Sequence, residues 1–168
     1  MYEKFGEFDN VATLNQKAAE LKEAGKEKEL KELAKENGID DVDAEDYLDG
    51  TIDELTTPVL AAIGKIAVEC KEYKVTSVVR DWISELEAQI VEDEQLAIAV
   101  KRRDKSIAGY IAAIIEESYK NLVTIDGRIV KLCPNVSKIM GSHPLTLGGS
   151  DKKTCRRLIR EYYLGGKS

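Results

Sequence analysis

Apolar residues recur at intervals of three and four along most of this chain, in short runs opened by a capping residue or closed by a glycine. Val78, Val79, Trp82, Ile83, Leu86 and Ile90 form one such run, and Ile107, Tyr110, Ile111, Ile114 and Ile115 form another. That spacing lines up side chains on one face of an α-helix, whereas a half-buried strand would alternate. Aromatic residues make up 6% of the 168 residues and apolar ones 43%, so Leu, Ile, Val and Ala must fill the core, which suits helix-on-helix packing. The expected fold is mainly α, a helical bundle, with one short β-hairpin in the C-terminal half around residues 124–130.

Start and stop signals divide the chain further. Asp9 or Asn10 caps a helix over 11–24, which Gly25 stops. A second helix runs over 26–37 to Gly38, and a short third begins at Asp40 or Asp41 and closes at Gly50. Thr57-Pro58 is the clearest signal: threonine caps, and proline at the first helical position loses an N–H that has no partner there anyway. The helix it opens, 58–73, gives way at Val75-Thr76-Ser77 to a long helix capped by Ser77. After Glu92-Asp93-Glu94 come a short helix over 96–100, a basic turn, and an apolar helix over 107–119 capped by Ser106. Asp126-Gly127 reads either as a hairpin turn or as the start of a short helix ended by Pro134, and 138–149 reads as loop. Ser150 or Asp151 caps a last helix to Leu164, stopped by Gly165-Gly166. A division near 73–77 would separate an acidic helical region, 1–74, from a basic one, 75–168.

The formal net charge of −6 conceals a strong separation. Residues 1–100 hold 25 acids against 11 Lys and Arg, a net of −14, and residues 101–168 hold 14 bases against 6 acids, a net of +8. Between Lys35 and Lys65 there is no base but nine acids, Glu36 and then Asp40, Asp41, Asp43, Glu45, Asp46, Asp49, Asp53 and Glu54. Like charges gathered on one surface repel, and such a surface is drawn to Lys/Arg-lined grooves, including those built to hold nucleic acid. The last eight of these acids are the candidate partner-binding residues. On the final helix, Cys155, Leu158, Ile159 and Tyr162 share one arc while Lys153, Arg156, Arg157 and Arg160 occupy the opposite one. With Lys152 and the cluster Lys101, Arg102, Arg103 and Lys105, they are the candidate nucleic-acid-binding residues, acting on phosphates. No aromatics interleave with them to stack bases, so sequence-specific RNA reading is not expected. Solvated helix faces, or pairing between the two halves, are the plainer alternatives.

The chain is poor in catalytic and metal-binding chemistry. It has one histidine, His143, and three scattered cysteines, Cys70, Cys133 and Cys155, with no CxxC pair and no local nucleophile signature. One histidine and three lone cysteines do not make the paired ligands of a zinc site. The Asp-rich stretch 40–49 lacks the glycine and terminal glutamate of a calcium loop, and Lys152 stands where a Walker A loop needs glycine. No catalytic residue, metal or cofactor is therefore expected. The charged opening MYEKFGEFDN has no apolar run of a secretory signal, and the longest uncharged apolar stretch, 55–64, is too short to cross a bilayer. A cytoplasmic protein is expected.

The stretch from Trp82 to Ile115 resembles the PcfK-like proteins of conjugative plasmids and phages. The residues that carry the likeness are Glu92, Asp93, Glu94, Leu96 and Ala97, then Lys105, Ser106, Ile107, Tyr110, Ile111 and Ile114, and the closing Tyr162-Tyr163 is similar to that family as well. The chain departs from it in the basic KRRDK, where the family often has a proline-containing turn, and residues 1–74 lie outside the match. The opening is similar to small proteins of gut Firmicutes and their mobile elements, some of which inhibit type II RNA-guided DNA nucleases. The resemblance implies a helical accessory or anti-defence protein and transfers no catalytic residue. The expected function is therefore macromolecular binding, as an anti-CRISPR inhibitor of a type II nuclease from a phage or mobile element. The alternative is a DNA-binding accessory or regulatory protein of such an element. Opposite-sign halves also allow a homo-oligomer.

Overall fold

The computed structural model describes residues 2–165. Among these, ten helices and one two-stranded antiparallel sheet form a mainly α fold. In chain order the helices are α1 (Val11–Glu23), α2 (Glu27–Glu36), α3 (Asp41–Asp49), α4 (Pro58–Glu72), α5 (Ser77–Glu92), α6 (Glu94–Lys101), α7 (Ile107–Lys120), α8 (Gly127–Val130), α9 (Pro134–Met140) and α10 (Lys152–Leu164).

The caps explain where they begin. Asn10, Asp40, Thr57, Asp93, Ser106 and Asp151 each accept a hydrogen bond from a first-turn backbone N–H. Such a bond satisfies a donor that has no partner inside the helix and is worth about 1 kcal/mol. Between the paired candidates, Asn10, Asp40 and Asp151 are the caps, and Asp9 instead accepts from the Arg103 N–H at 3.0 Å. Ser77 is the first residue of α5 rather than its cap; Thr76 holds that position and makes no side-chain capping bond. Gly50 and Gly165 close α3 and α10 in the left-handed conformation. Gly166 lies outside the described residues.

Two apolar cores result. Leu14, Ala18 and Leu21 of α1, Leu30, Leu33 and Ala34 of α2, and Ala44 and Tyr47 of α3 enclose the first, with Ile39 and Leu55. The second joins α4, α5, α6, α7 and α10 through residues such as Ile66, Ile83, Leu86, Ile90, Leu96, Ile114 and Ile159. Each large aliphatic side chain so buried contributes about 1.5–3 kcal/mol. Helix α4 lies within the acidic stretch of sequence, yet it packs chiefly on α6 and belongs to the second core. The cores therefore part at Thr57-Pro58, and residues 73–76 form a turn inside the second.

The short strand pair is in the C-terminal half, where a hairpin was expected, but its strands are not joined by a tight turn. β1 (Val123–Thr124) pairs with β2 (Thr146–Leu147), with residues 125–145 between them. Asp126 caps α8, and Pro134 opens α9, using its position at the first helical residue as Pro58 does. Nothing from 121 to 150 is buried, and Leu132 and Ile139 are both 82% exposed.

The two cores touch backbone to backbone where the end of α2 meets α4. A Cβ on Gly64 would overlap the carbonyl oxygen of Asn37, and one on Gly38, whose φ is +68°, would overlap that of Gly64. Gly64→Ala is expected to cost about 1–3 kcal/mol in urea unfolding, the usual cost of overpacking. Gly127→Ala, with open space at its Cβ, is the control and should change stability little.

Candidate functional site

The acids of α3 face outward because Ala44 and Tyr47 anchor the other side of the helix in the first core. Asp40, Asp41, Glu45, Asp49, Asp53 and Glu54 are exposed, and Asp43 and Asp46 are half-buried. Among the described residues, Glu45 is the one member of this set in an ion pair, with Lys31 at 2.7 Å. Asp40 caps α3, and Glu54 accepts from the Asn15 amide at 3.3 Å. Asp49 accepts from the hydroxyl and the N–H of Thr51, which hold its carboxyl below the usual carboxylate range.

The basic candidates fare differently. Lys101 is 1% exposed and is removed from any nucleic-acid surface: its Nζ turns inward, 3.4 Å from Asn37 Oδ1. Lys105 is also committed, donating to the Tyr162 carbonyl at 2.7 Å with its Nζ 4.7 Å from the centre of that ring. Arg102 pairs with Asp104. On α10, Lys152 and Arg156 both pair with Glu85, Arg157 with Glu117 and Glu161, and Arg160 with Asp93. Burial alone would raise the Glu85 carboxyl, but hydrogen bonds from Arg156 and Lys152 outweigh it and hold it low. Of the nine candidates, Arg103 and Lys153 are the ones exposed with no side-chain ion pair among the described residues. Periodicity placed the α10 bases opposite the apolar arc correctly; it carried no information about the acids waiting on α5, α6 and α7.

An ionic cluster that the sequence reading missed lies where the two cores meet. Lys65, 2% exposed, donates to the carbonyls of Arg102 and Lys105 at 2.7 and 2.8 Å and pairs with Glu7 at 2.6 Å. Glu69, one turn on, accepts from the Ile107 N–H at 2.7 Å. Burial pushes the Glu69 carboxyl up, and burial together with the positive charge of Lys65 pushes Lys101 down to about 8. The available signal was positional: Lys65 and Glu69 fall on the same face of α4 as Ala61, Ala62 and Ile66, where charge is out of place.

Two clefts are lined mainly by charged side chains. The larger, between α2 and α4, is lined by Lys4, Lys35, Lys71 and Lys74 together with Glu3, Glu32, Glu36 and Glu72, a balanced set already tied by the Lys4–Glu32 pair. The smaller, between α5 and α10, is lined by Gln89, Glu92, Asp93, Arg156, Arg157 and Arg160. His143 and Cys133 are exposed on the 121–150 segment, while Cys155 is buried and that burial pushes its thiol up. Among the described residues no helix is long and apolar enough to cross a membrane. The chain matches no protein-family model, no curated protein and no solved structure.

Lys101 makes stability depend on pH in a defined direction. Its pKa is about 8 when folded against an ordinary 10.5, so between those values the unfolded chain holds more protons and stability rises with pH. Lys101→Met fills the site with an apolar chain of similar length and removes that rise. Urea unfolding across pH 8 to 10.5 should therefore show wild type gaining on the variant as pH increases.

Proposed function

We propose that this protein acts without catalysis, by presenting the acidic face of α3 and the loop after it to a basic groove of a nucleic-acid-handling protein. The partner we infer is a type II RNA-guided DNA nuclease, with this chain as its phage or mobile-element inhibitor. The observation that carries the reading is that the two charged faces do not cancel one another. The carboxylates paired with the α10 bases come from α5, the cap of α6, α7 and α10 itself, and none is among the eight candidate acids. A negative surface left open in this way competes with nucleic acid for a positively charged channel, and long-range attraction speeds its arrival. The likeness of residues 82–115 to PcfK-like proteins supports the mobile-element source. The alternative, a DNA-binding accessory protein, has less support, because duplex binding draws on many free cations and most of the candidates are already engaged.

Pull-down and cleavage assays with type II nucleases test the proposal. Wild type should bind and slow at least one of them. The variant Asp41→Asn/Glu45→Gln/Asp53→Asn changes only exposed side chains; it should fold normally, bind roughly tenfold more weakly, and show a flatter salt dependence. If no nuclease is bound or slowed at excess protein, the proposal fails.

A further inference from the structure

Helices α8 and α9 are four and seven residues long, and none of their side chains is buried. Isolated helices shorter than about twelve residues are marginal in water, and most helical stability comes from packing an apolar face. The ladder that carries them has two residues in each strand and is marginal by itself as well. Material for packing is present: Ile129 is 57% exposed, and Leu132 and Ile139 are 82% exposed. Residues 127–140 thus form a head whose aliphatic side chains a single copy of the chain leaves without a surface to lie on. An open apolar groove with no occupant runs along α7. Tyr73, Val75 and Val79 line it from the turn after α4 and the start of α5, and Ile111 and Ile115 line it from α7. Of its nine lining residues, Lys74 and Thr76 are the two that are not apolar. Its volume of about 370 Å³ has room for more than one aliphatic side chain.

We infer that this groove receives the 127–140 head of a second copy of the chain, in a reciprocal pair where each copy gives one head and takes one. Charge agrees with that occupant. The head holds Arg128, Lys131 and Lys138 against Asp126 alone, which is tied to Arg128, so Lys131 and Lys138 are the bases it has to offer. Beside the groove, Glu72 and Glu116 are exposed, with no ion pair among the described residues, and outnumber Lys74. Size points to exchange rather than one-way contact. A standard interface takes about 20–30 residues from each partner. Nine groove residues fall short of that, and together with the fourteen of the head they reach it. Reciprocity also closes the assembly under a twofold axis, whereas one-way docking would leave a free head and a free groove and grow into a filament. The placement permits it. The ladder below the head is fastened to the C-terminal end of α7 by the Ser118–Ser150 hydrogen bond at 2.9 Å and by Gly148, where a Cβ would overlap the Ser118 carbonyl. The groove lies nearer the start of the same helix, so two α7 helices running antiparallel set each head against the other's groove. The acidic face of α3 takes no part, and the pairing stands or falls separately from the inhibitor reading.

Sedimentation velocity of the full chain, from about 1 to about 500 µM, tests the pairing. A monomer–dimer transition within that range is expected. The head variant Leu132→Ser/Ile139→Ser and the groove variant Tyr73→Ser/Ile115→Ser should each weaken the dimer about tenfold or more. All four side chains are more than half exposed, so circular dichroism and urea unfolding at the dilute end should match wild type. Mixed in equal amounts, the two variants have one intact head and one intact groove between them. The mixture should therefore dimerise more strongly than either variant alone and more weakly than wild type. A chain that stays monomeric throughout, with its head free or folded onto its own groove, overturns the inference. So does a dimer that either variant leaves unweakened, or a mixture that gains nothing over its two components.

Discussion

A single buried ammonium, that of Lys65, ties together parts of the chain that are remote in sequence. It receives the Glu7 carboxylate from the N-terminal stretch and two carbonyls from the turn between α6 and α7, while Glu69 on the next turn of α4 fastens the start of α7. A charge this deep is tolerable only when its acceptors are all in place, and here they come from two segments outside its own helix. The arrangement makes those segments interdependent, since loosening one leaves a charge unsatisfied in the others. Beside it, the Gly38–Gly64 contact brings two backbones closer than any side chain would allow. Polar attachment and steric closeness together set the acidic three-helix unit against the larger core.

That placement governs how charge is distributed over the surface. The acidic helix belongs to the first core, and the bases at the junction, Lys65 and Lys101, are buried and form no ion pair with its acids. The basic helix α10 instead lies across α5, α6 and α7, where acids are already present. Separation along the sequence thus becomes separation in space on the negative side and mutual compensation on the positive side. The formal +8 of residues 101–168 overstates what the surface offers.

Local chemistry was legible in the sequence to the extent that it is local. Caps, proline starts and the helical period located α1 to α7 and α10, because each is decided within a few residues. The partner of β1 was not legible, since strand pairing across residues 125–145 depends on tertiary packing and both strands are only two residues long. Lys101 reads as one more member of a basic run, and only the fold shows that the last turn of α6 points it at Asn37. The acidic face was readable because the absence of lysine and arginine from 36–64 is itself a sequence fact. The groove beside α7 was not, because it needs residues 73–79 and 108–115 to meet.

The stretch from Asn121 to Ser150 has a different standing from the rest. Helices α7 and α10 pack directly on one another, so their union does not rely on the chain that links them. With no residue of its own buried, that linking chain is cargo rather than framework, and it can open, be nicked or be exchanged for another sequence while both cores persist. Its two most outward aliphatic side chains, Leu132 and Ile139, are therefore free to change with whatever surroundings the molecule meets, without consequence for how the remainder folds.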